Sequence, residues 1–80
     1  MKFFRVCVYE GSKRVDSFKI VSANNITALM KAQHHFAFRN GIDDKDIYRG
    51  VSFSGLNTRE RIIFVREGSR NRKYTIQISY

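Results

Sequence analysis

The sequence predicts an α+β fold of two layers, in which one helix packs on a largely antiparallel five-stranded sheet in the order ββαβββ. Three observations predict it. Five short segments have the apolar patterning of strands, and one segment repeats its apolar residues at helical spacing. Turn sequences rich in Gly, Asn and Asp separate these segments. One helix on one face of a sheet is the simplest arrangement that buries the apolar side of both.

The 80 residues, of which 42% are hydrophobic, are enough for one small core. No linker or low-complexity run divides the chain, which predicts a single domain over residues 1–80.

The first two strands are predicted as a β-hairpin. Residues 3–9 alternate, with Phe4, Val6 and Val8 on one face. The other face of that strand carries Phe3, Arg5, Cys7 and Tyr9. Residues 10–13 form a turn in which Gly11 can supply a positive φ. Residues 14–21 alternate again, with Phe18 and Ile20 inward and Ser17 and Lys19 outward.

A helix is predicted over residues 25–40. Asn24, Asn25 or Ser22 can cap its first turn, and Asn40-Gly41 ends it with Ile42 at the apolar position of a Schellman motif. At 100° per residue the apolar stripe consists of Ile26, Leu29, Met30, Phe36 and Ala37, with Gln33 among them.

Three strands follow an acidic loop at residues 43–46. Ile47, Val51 and Phe53 alternate with Tyr48, Ser52 and Ser54 in the third strand. Residues 62–65 are apolar on both faces, which is typical of a central strand. Residues 73–80 alternate strongly in the fifth strand. The Glu-Gly-Ser sequence before a basic residue occurs at both 10–13 and 67–70, which indicates the same hairpin-turn chemistry used twice.

The helix is expected to pack on apolar side chains from all the strands. These are Phe4, Val6, Val8, Phe18, Ile20, Phe53, Phe64, Ile76 and Ile78.

Charge is the strongest functional signal in the sequence. Fifteen Lys and Arg against seven Asp and Glu give a formal net charge of +8. Such an excess destabilises a small domain by self-repulsion and indicates an acidic partner, most often nucleic acid.

The basic residues cluster between positions 59 and 73, at Arg59, Arg61, Arg66, Arg70, Arg72 and Lys73. In a hairpin of residues 59–66 and 72–80, Arg66, Arg70, Arg72 and Lys73 are expected to meet at the tip and contact phosphates. The alternative is a solvated turn that aids solubility.

The sheet face away from the helix is the second candidate. It is expected to carry Phe3, Arg5, Cys7, Tyr9, Ser17, Lys19, Tyr48 and Ser52, with Arg61, Ile63 and Val65 on one face of the fourth strand. Aromatic residues among cations on an open sheet can stack bases and hold a backbone. The alternatives are a dimer interface or ordinary half-exposed strand residues. The consensus octapeptide of single-strand RNA-binding sheets is absent, so the stacking signal is not specific.

Three smaller features have less specific signals. His34 and His35 point about 100° apart on a helix, which favours two surface histidines over a shared metal. The 43–46 loop lacks EF-hand spacing and is expected to be solvated. Phe38 lies off the apolar stripe, either as a contact point for a partner or packed against that loop.

No catalytic constellation, cofactor motif or metal motif stands out, so the chain is expected not to be an enzyme and to need no cofactor.

The single cysteine, Cys7, excludes an internal disulfide and fits a reducing compartment. Arg5 and Glu10 interrupt the apolar N-terminal run, and no segment is long enough to span a membrane. A cytoplasmic protein without membrane contact is expected.

The layout resembles that of small phage-encoded inhibitors of host defence, including some anti-CRISPR proteins. The resemblance is one of arrangement over the whole chain, with a strand at 3–9, a helix at 25–40 and strands running to Tyr80, and no motif is shared. It implies a non-enzymatic inhibitor of a nucleic-acid-handling complex and transfers no site residue.

Two functional hypotheses remain open on the sequence. In one, the protein binds nucleic acid through its cationic tips. In the other, it inhibits a partner protein by binding an acidic surface on it. Both use the same candidate residues, namely Arg59, Arg61, Arg66, Arg70, Arg72, Lys73, Lys13, Arg14, Arg5, Lys19, Tyr9 and Tyr48.

Overall fold

The computed structural model describes residues 1–49 and 59–80. Their elements in chain order are β1 (Lys2–Glu10), β2 (Lys13–Ser22), α1 (Asn25–Arg39), a 3-10 turn (Asp44–Asp46), β3 (Ile47–Arg49), β4 (Glu60–Glu67) and β5 (Arg70–Ser79). The five strands form one antiparallel sheet in the order β2-β1-β5-β4-β3. The predicted fold class is therefore confirmed. The third strand, predicted over 47–54, covers Ile47–Arg49, and its remaining residues, with Phe53, lie outside the described part of the chain.

Two tight turns of the same construction join β1 to β2 and β4 to β5. Glu10 pairs with Lys13 and Glu67 pairs with Arg70, so each loop has two residues, Gly and Ser. Gly11 and Gly68 both have φ of 64°. A glycine at positive φ in the first loop position is the pattern of a type II′ turn, whose twist matches that of the flanking strands. The repeated Glu-Gly-Ser sequence is thus hairpin-turn chemistry, as predicted.

The ends of the helix are fixed by local hydrogen bonds. The side chain of Asn24 accepts a hydrogen bond from the Thr27 N–H at 2.9 Å, which selects Asn24 among the three predicted N-caps. At the other end, Gly41 has φ of 66° and the Ile42 N–H donates to the Ala37 carbonyl at 2.9 Å. This is the predicted Schellman closure.

The buried stripe of the helix differs from the predicted one. Leu29, Phe36 and Ala37 are buried as expected, but Ile26 is 65% exposed and Met30 is 48% exposed. The stripe is centred instead on Ala28, Ala32 and Phe36, because the helix lies over β2, β1 and β5. Small alanine side chains let the helix approach the sheet closely.

The register of β4 also differs from the prediction. Ile63 and Val65 are buried on the helix side, opposite Tyr74 and Arg72 of β5, whereas Phe64 lies half-buried on the open face. Residues 62–65 are apolar on both faces, so alternation alone could not choose between them. The two-residue turn at Gly68 fixes the register and decides which face of β4 meets the helix.

The core lies between the helix and β1, β5 and β4. Its buried side chains are Phe4, Val6, Val8, Ala28, Leu29, Ala32, Phe36, Ile63, Val65, Tyr74, Ile76 and Ile78. Phe18 and Ile20 are partly buried against this cluster, on the helix side of the edge strand β2.

A charged contact holds the end of the helix against β2. Arg39 donates to both carboxylate oxygens of Asp16 at 3.0 Å, and the Asn40 side chain adds a bond at 3.3 Å. Burial alone would raise the pKa of Asp16. The hydrogen bonds from Arg39, the Ser17 N–H and Asn40 outweigh burial and lower that pKa. Asp16 and Arg39 therefore bind each other on the helix side of the sheet.

Candidate nucleic-acid interface

The sheet face opposite the helix is defined by strand alternation and register, and we call it the open face. It carries Phe3, Arg5, Cys7 and Tyr9 of β1; Arg14, Ser17, Lys19 and Val21 of β2; Thr75, Gln77, Ser79 and Lys73 of β5; Glu60, Ile62, Phe64 and Arg66 of β4; and Tyr48 of β3. The expected placement of the four β1 residues, of Ser17 and Lys19 and of Tyr48 on this face is confirmed, and Ser52 lies outside the described residues. Arg14 joins the face because a register shift between Val8 and Tyr9 brings it opposite Tyr9.

Two cations lie directly opposite each other at one end of the open face. Arg5 pairs with Lys19 across β1 and β2, and Arg5 also pairs with Ser79 of β5. Both cationic side chains are exposed, and neither forms an ion pair with a carboxylate of the described residues. Like charges directly opposite in a sheet are destabilising. The fold therefore concentrates positive charge here at a cost in stability.

A second group of cations, at the far end of the same face, is mixed with aromatic rings. Lys73 pairs with Phe64, which in turn pairs with Tyr48, so the three form a row across β5, β4 and β3. The Arg66 guanidinium carbon lies 5.2 Å from the centroid of the Tyr48 ring, a cation–π contact that keeps the charge exposed. From Ser79 to Lys73 along β5 is about 20 Å at ~3.4 Å per residue.

Polar side chains occupy the middle of the open face. Tyr9 lies between Arg14 and Thr75, and the next row contains Cys7 between Ser17 and Gln77. The Cys7 sulfur is 4.0 Å from the Ser17 hydroxyl. The two charged ends are thus joined by groups that can donate and accept hydrogen bonds.

The carboxylates are segregated from these cations. Of the seven Asp and Glu, Glu60 is the one on the open face within residues 1–49 and 59–80. Asp16 is held by Arg39, and Glu10 and Glu67 are held by Arg72. The remaining three lie in the 43–46 loop, where Asp43 and Asp44 contact Lys45 and His34 respectively. Most of the carboxylates thus lie away from the open face, and most of those are paired with basic side chains there.

The predicted cationic tip is divided between the two faces of the sheet. Because residues alternate along β4 and β5, Arg66 and Lys73 lie on the open face while Arg70 and Arg72 lie on the helix side. The sequence cluster did not reveal this division, since neighbouring strand residues point in opposite directions.

Arg72 links the two hairpins through its contacts with Glu10 and Glu67, which we call the Arg72 clamp. Its guanidinium contacts both oxygens of Glu10 at 2.7 and 2.8 Å and one oxygen of Glu67 at 3.2 Å. With Glu10 and Glu67 it lines an open cleft of about 1150 Å³ at the hairpin tips. The hydrogen bonds to Glu10 and Glu67 raise the pKa of Arg72, and the bond from Arg72 lowers the pKa of Glu10. These contacts leave Arg72 poorly suited to hold a phosphate.

The Arg72 clamp predicts a pH dependence of stability. The pKa of Glu10 is lower in the folded protein than its ordinary value of 4.5, so ionised Glu10 stabilises the fold above that value. This contribution is lost as pH falls below 4.5 and through the folded-state pKa. We expect the melting temperature of the wild type to fall more steeply below about pH 5 than that of Arg72→Ala. If the melting temperatures of the wild type and Arg72→Ala fell equally steeply with pH below about 5, this role of Arg72 would be contradicted. Arg70→Ala, which removes a neighbouring arginine, serves as the control.

Arg61 and Lys13 lie on the helix side of the sheet, whereas Arg59 borders the open face beside Cys7, Glu60 and Gln77. Arg61 donates to the Gln33 side chain of the helix at 3.0 Å, and Lys13 lies beside Glu10 on the helix side. Arg59 sits 5.4 Å from the centroid of the Tyr80 ring. Seven of the predicted residues share the open face, namely Arg5, Tyr9, Arg14, Lys19, Tyr48, Arg66 and Lys73.

Sequence reasoning missed Phe64 and Ile62 as members of this face. Both were expected among core or unassigned positions because residues 62–65 are uniformly apolar. Counting back from a two-residue turn at Gly68 would have placed them on the same face as Arg66 and Lys73.

The helix contributes little chemistry to this site. His34 lies 3.6 Å from Asp44, and the His35 ring packs 4.8 Å from that of Phe18. Phe38 is 87% exposed, so it does not pack against the 43–46 loop. Among residues 1–49 and 59–80, no three metal-ligating side chains cluster, and no helix is long and apolar enough to cross a bilayer.

Comparison with known proteins gives no relative on which to base a function. The chain matches no family model, no curated protein and no solved structure. The open face must therefore be interpreted from its own residues.

Proposed function

We propose that this protein binds nucleic acid through the open face of its sheet and catalyses no reaction. The observation that carries the proposal is the segregation of charge. Arg5, Arg14, Lys19 and Lys73 are exposed on one face without carboxylate partners among the described residues, while Arg39 and Arg72 are neutralised on the other. A face built this way attracts a polyanion and releases its counterions on binding.

The cost of this arrangement supports a functional origin. Arg5 and Lys19 oppose each other directly, although one acidic side chain at either position would turn repulsion into attraction. A surface selected only for solubility has no need of an unfavourable pair. Phosphate groups bound between the two side chains would relieve their repulsion.

The aromatic residues of the open face supply the second element of such a site. Tyr48 is 45% exposed beside Arg66, and Tyr9 and Phe64 are half-buried in the same surface. Rings among cations on a sheet can stack on bases while the cations hold the backbone. The polar middle of the face offers hydrogen bonds to sugars and base edges.

A salt titration with matched variants tests this proposal. We expect the affinity for a random single strand or duplex to fall steeply with salt in the wild type. The double variant Arg5→Ala/Lys73→Ala should lower the magnitude of the negative slope of log K against log salt by about 1.4–1.8, or 0.7–0.9 per phosphate contact. The double variant Lys31→Ala/Lys45→Ala removes the same charge from the helix and the 44–46 turn, and it should leave the slope near the wild-type value.

The same experiment distinguishes the alternative function. If neither nucleic acid binds at 50 mM salt, the proposal is wrong. The open face would then be a candidate surface for an acidic partner protein, which is the second hypothesis that the charge of the sequence left open. Equal slopes for the two double variants would show that binding follows net charge and not this face.

A further inference from the structure

A cleft adjoins one corner of the open face, where β1 begins and β5 ends. The cleft measures about 490 Å³ and is lined by Phe3, Phe4, Arg5, Lys19, Ser79 and Tyr80. This size falls within the range of about 300–1,000 Å³ that is typical of small-ligand sites.

Phe3 is the unusual residue of this corner. Its side chain is 75% exposed on the open face, beside Val21 of β2, which is itself 37% exposed. Arg5 and Lys19, the opposed cations, lie two residues along the same strands on the same face. An exposed aromatic ring therefore adjoins two cations that have no carboxylate partner among the described residues.

We propose that this corner binds one unpaired nucleotide of a single strand, with its base stacked on the Phe3 ring and its phosphate held by Arg5 and Lys19. The inference rests on the proposed function and names its substrate class. Stacking on an aromatic ring stabilises each base without regard to sequence, because every base has a π-face. Arg5 adds a planar fork of donors for the phosphate and Lys19 adds a point charge.

A duplex cannot make both the stacking contact and the phosphate contacts at this corner. Its bases are stacked on one another and paired, so away from its two ends it presents phosphates to the cations and no base face to Phe3. The ring would then stay exposed in the complex. Single strands should therefore bind more tightly than duplexes of equal charge density, and the difference should depend on Phe3.

A tryptophan at this position reports directly on stacking. The chain contains four Tyr but no Trp, so the tryptophan emission of Phe3→Trp, excited where tyrosine does not absorb, comes from this corner alone. We expect its fluorescence to be quenched on titration with a single-stranded oligothymidylate and to change little with a long duplex, in which few base pairs are terminal. Phe38→Trp, at the exposed position on the helix, serves as the matched reporter that should not respond.

Alanine variants measure how much stacking on Phe3 contributes to the affinity for a single strand. Phe3→Ala should weaken single-strand binding by about 5- to 100-fold, the range for one base stacked on an aromatic ring, and leave duplex binding unchanged. Phe38→Ala removes another highly exposed Phe, on the helix, and should leave both affinities unchanged.

The outcomes separate this inference from the proposed function. If wild type binds single strands with a normal salt slope but Phe3→Trp is silent and Phe3→Ala binds as wild type, the nucleotide site is wrong and the open-face function stands. Equal losses for single strand and duplex in Phe3→Ala would also overturn the single-strand preference. If the wild type binds no nucleic acid at all, both proposals fail together.

Discussion

Replacing Phe36 with alanine should remove a large part of the stability of this protein. Phe36 is 1% exposed, lies on the buried stripe of the helix, and meets the Tyr74 ring edge-on at a centroid distance of 5.1 Å. Burial of a ring this size and the cavity left by its removal together cost about 3–5 kcal/mol. A domain of 80 residues has about 4–12 kcal/mol in total. Chemical denaturation of Phe36→Ala should therefore show a midpoint far below that of the wild type.

The same helix supplies a stringent control for that result. Phe38 stands two residues further along α1 but is 87% exposed, so Phe38→Ala should change the free energy of unfolding by no more than about 0.5 kcal/mol. The two variants remove the same atoms from the same helix. Comparable losses of stability in both would mean that the helix packs through a different face from the one described.

Local patterns were sufficient to predict most of the fold. The Asn24 cap, the closure at Gly41 and the two Gly-Ser turns each depend on a few neighbouring residues, and the structure has them where the sequence indicates. The alternation of β1 likewise predicts which of its side chains are buried. These features need no knowledge of the rest of the chain.

The errors arose where the sequence offered two equivalent faces. Ile26 and Met30 are as apolar as the residues that are buried, and only the position of the helix over β2, β1 and β5 leaves them exposed. Phe64 and Ile63 are equally good core residues, and the register set by the turn at Gly68 decides between them. Both choices depend on contacts between distant elements.

The candidate site was predictable in composition but not in geometry. The excess of Lys and Arg is evident from the sequence, whereas the division of Arg70 and Arg72 from Arg66 and Lys73 depends on strand register. The capture of Arg72 by Glu10 joins residues far apart in the chain, and no local pattern indicates it. Clustering of charge in sequence was thus a poor guide to clustering in space.

Reversing one charge of the opposed pair should raise stability while it weakens nucleic-acid binding. In Lys19→Glu, the new carboxylate would face Arg5 across β1 and β2, so a repulsive cross-strand pair becomes an attractive one. Such pairs contribute about 0.2–1 kcal/mol, and we expect a small increase in the free energy of unfolding. At the same time one phosphate contact is replaced by a repelling charge, and the affinity at 0.1 M salt should fall by about 10- to 100-fold.

The double variant Arg5→Glu/Lys19→Glu separates pairing from charge. Two carboxylates would then oppose each other at the same positions, so stability should return to about the wild-type value. Binding should weaken further, by about another factor of ten or more, because binding follows the charge of the face and not the pairing within it. Denaturation and a salt titration on the three proteins measure both effects. An affinity that follows stability across the series, with Lys19→Glu the tightest binder, would show that these cations act on the fold and do not contact phosphates.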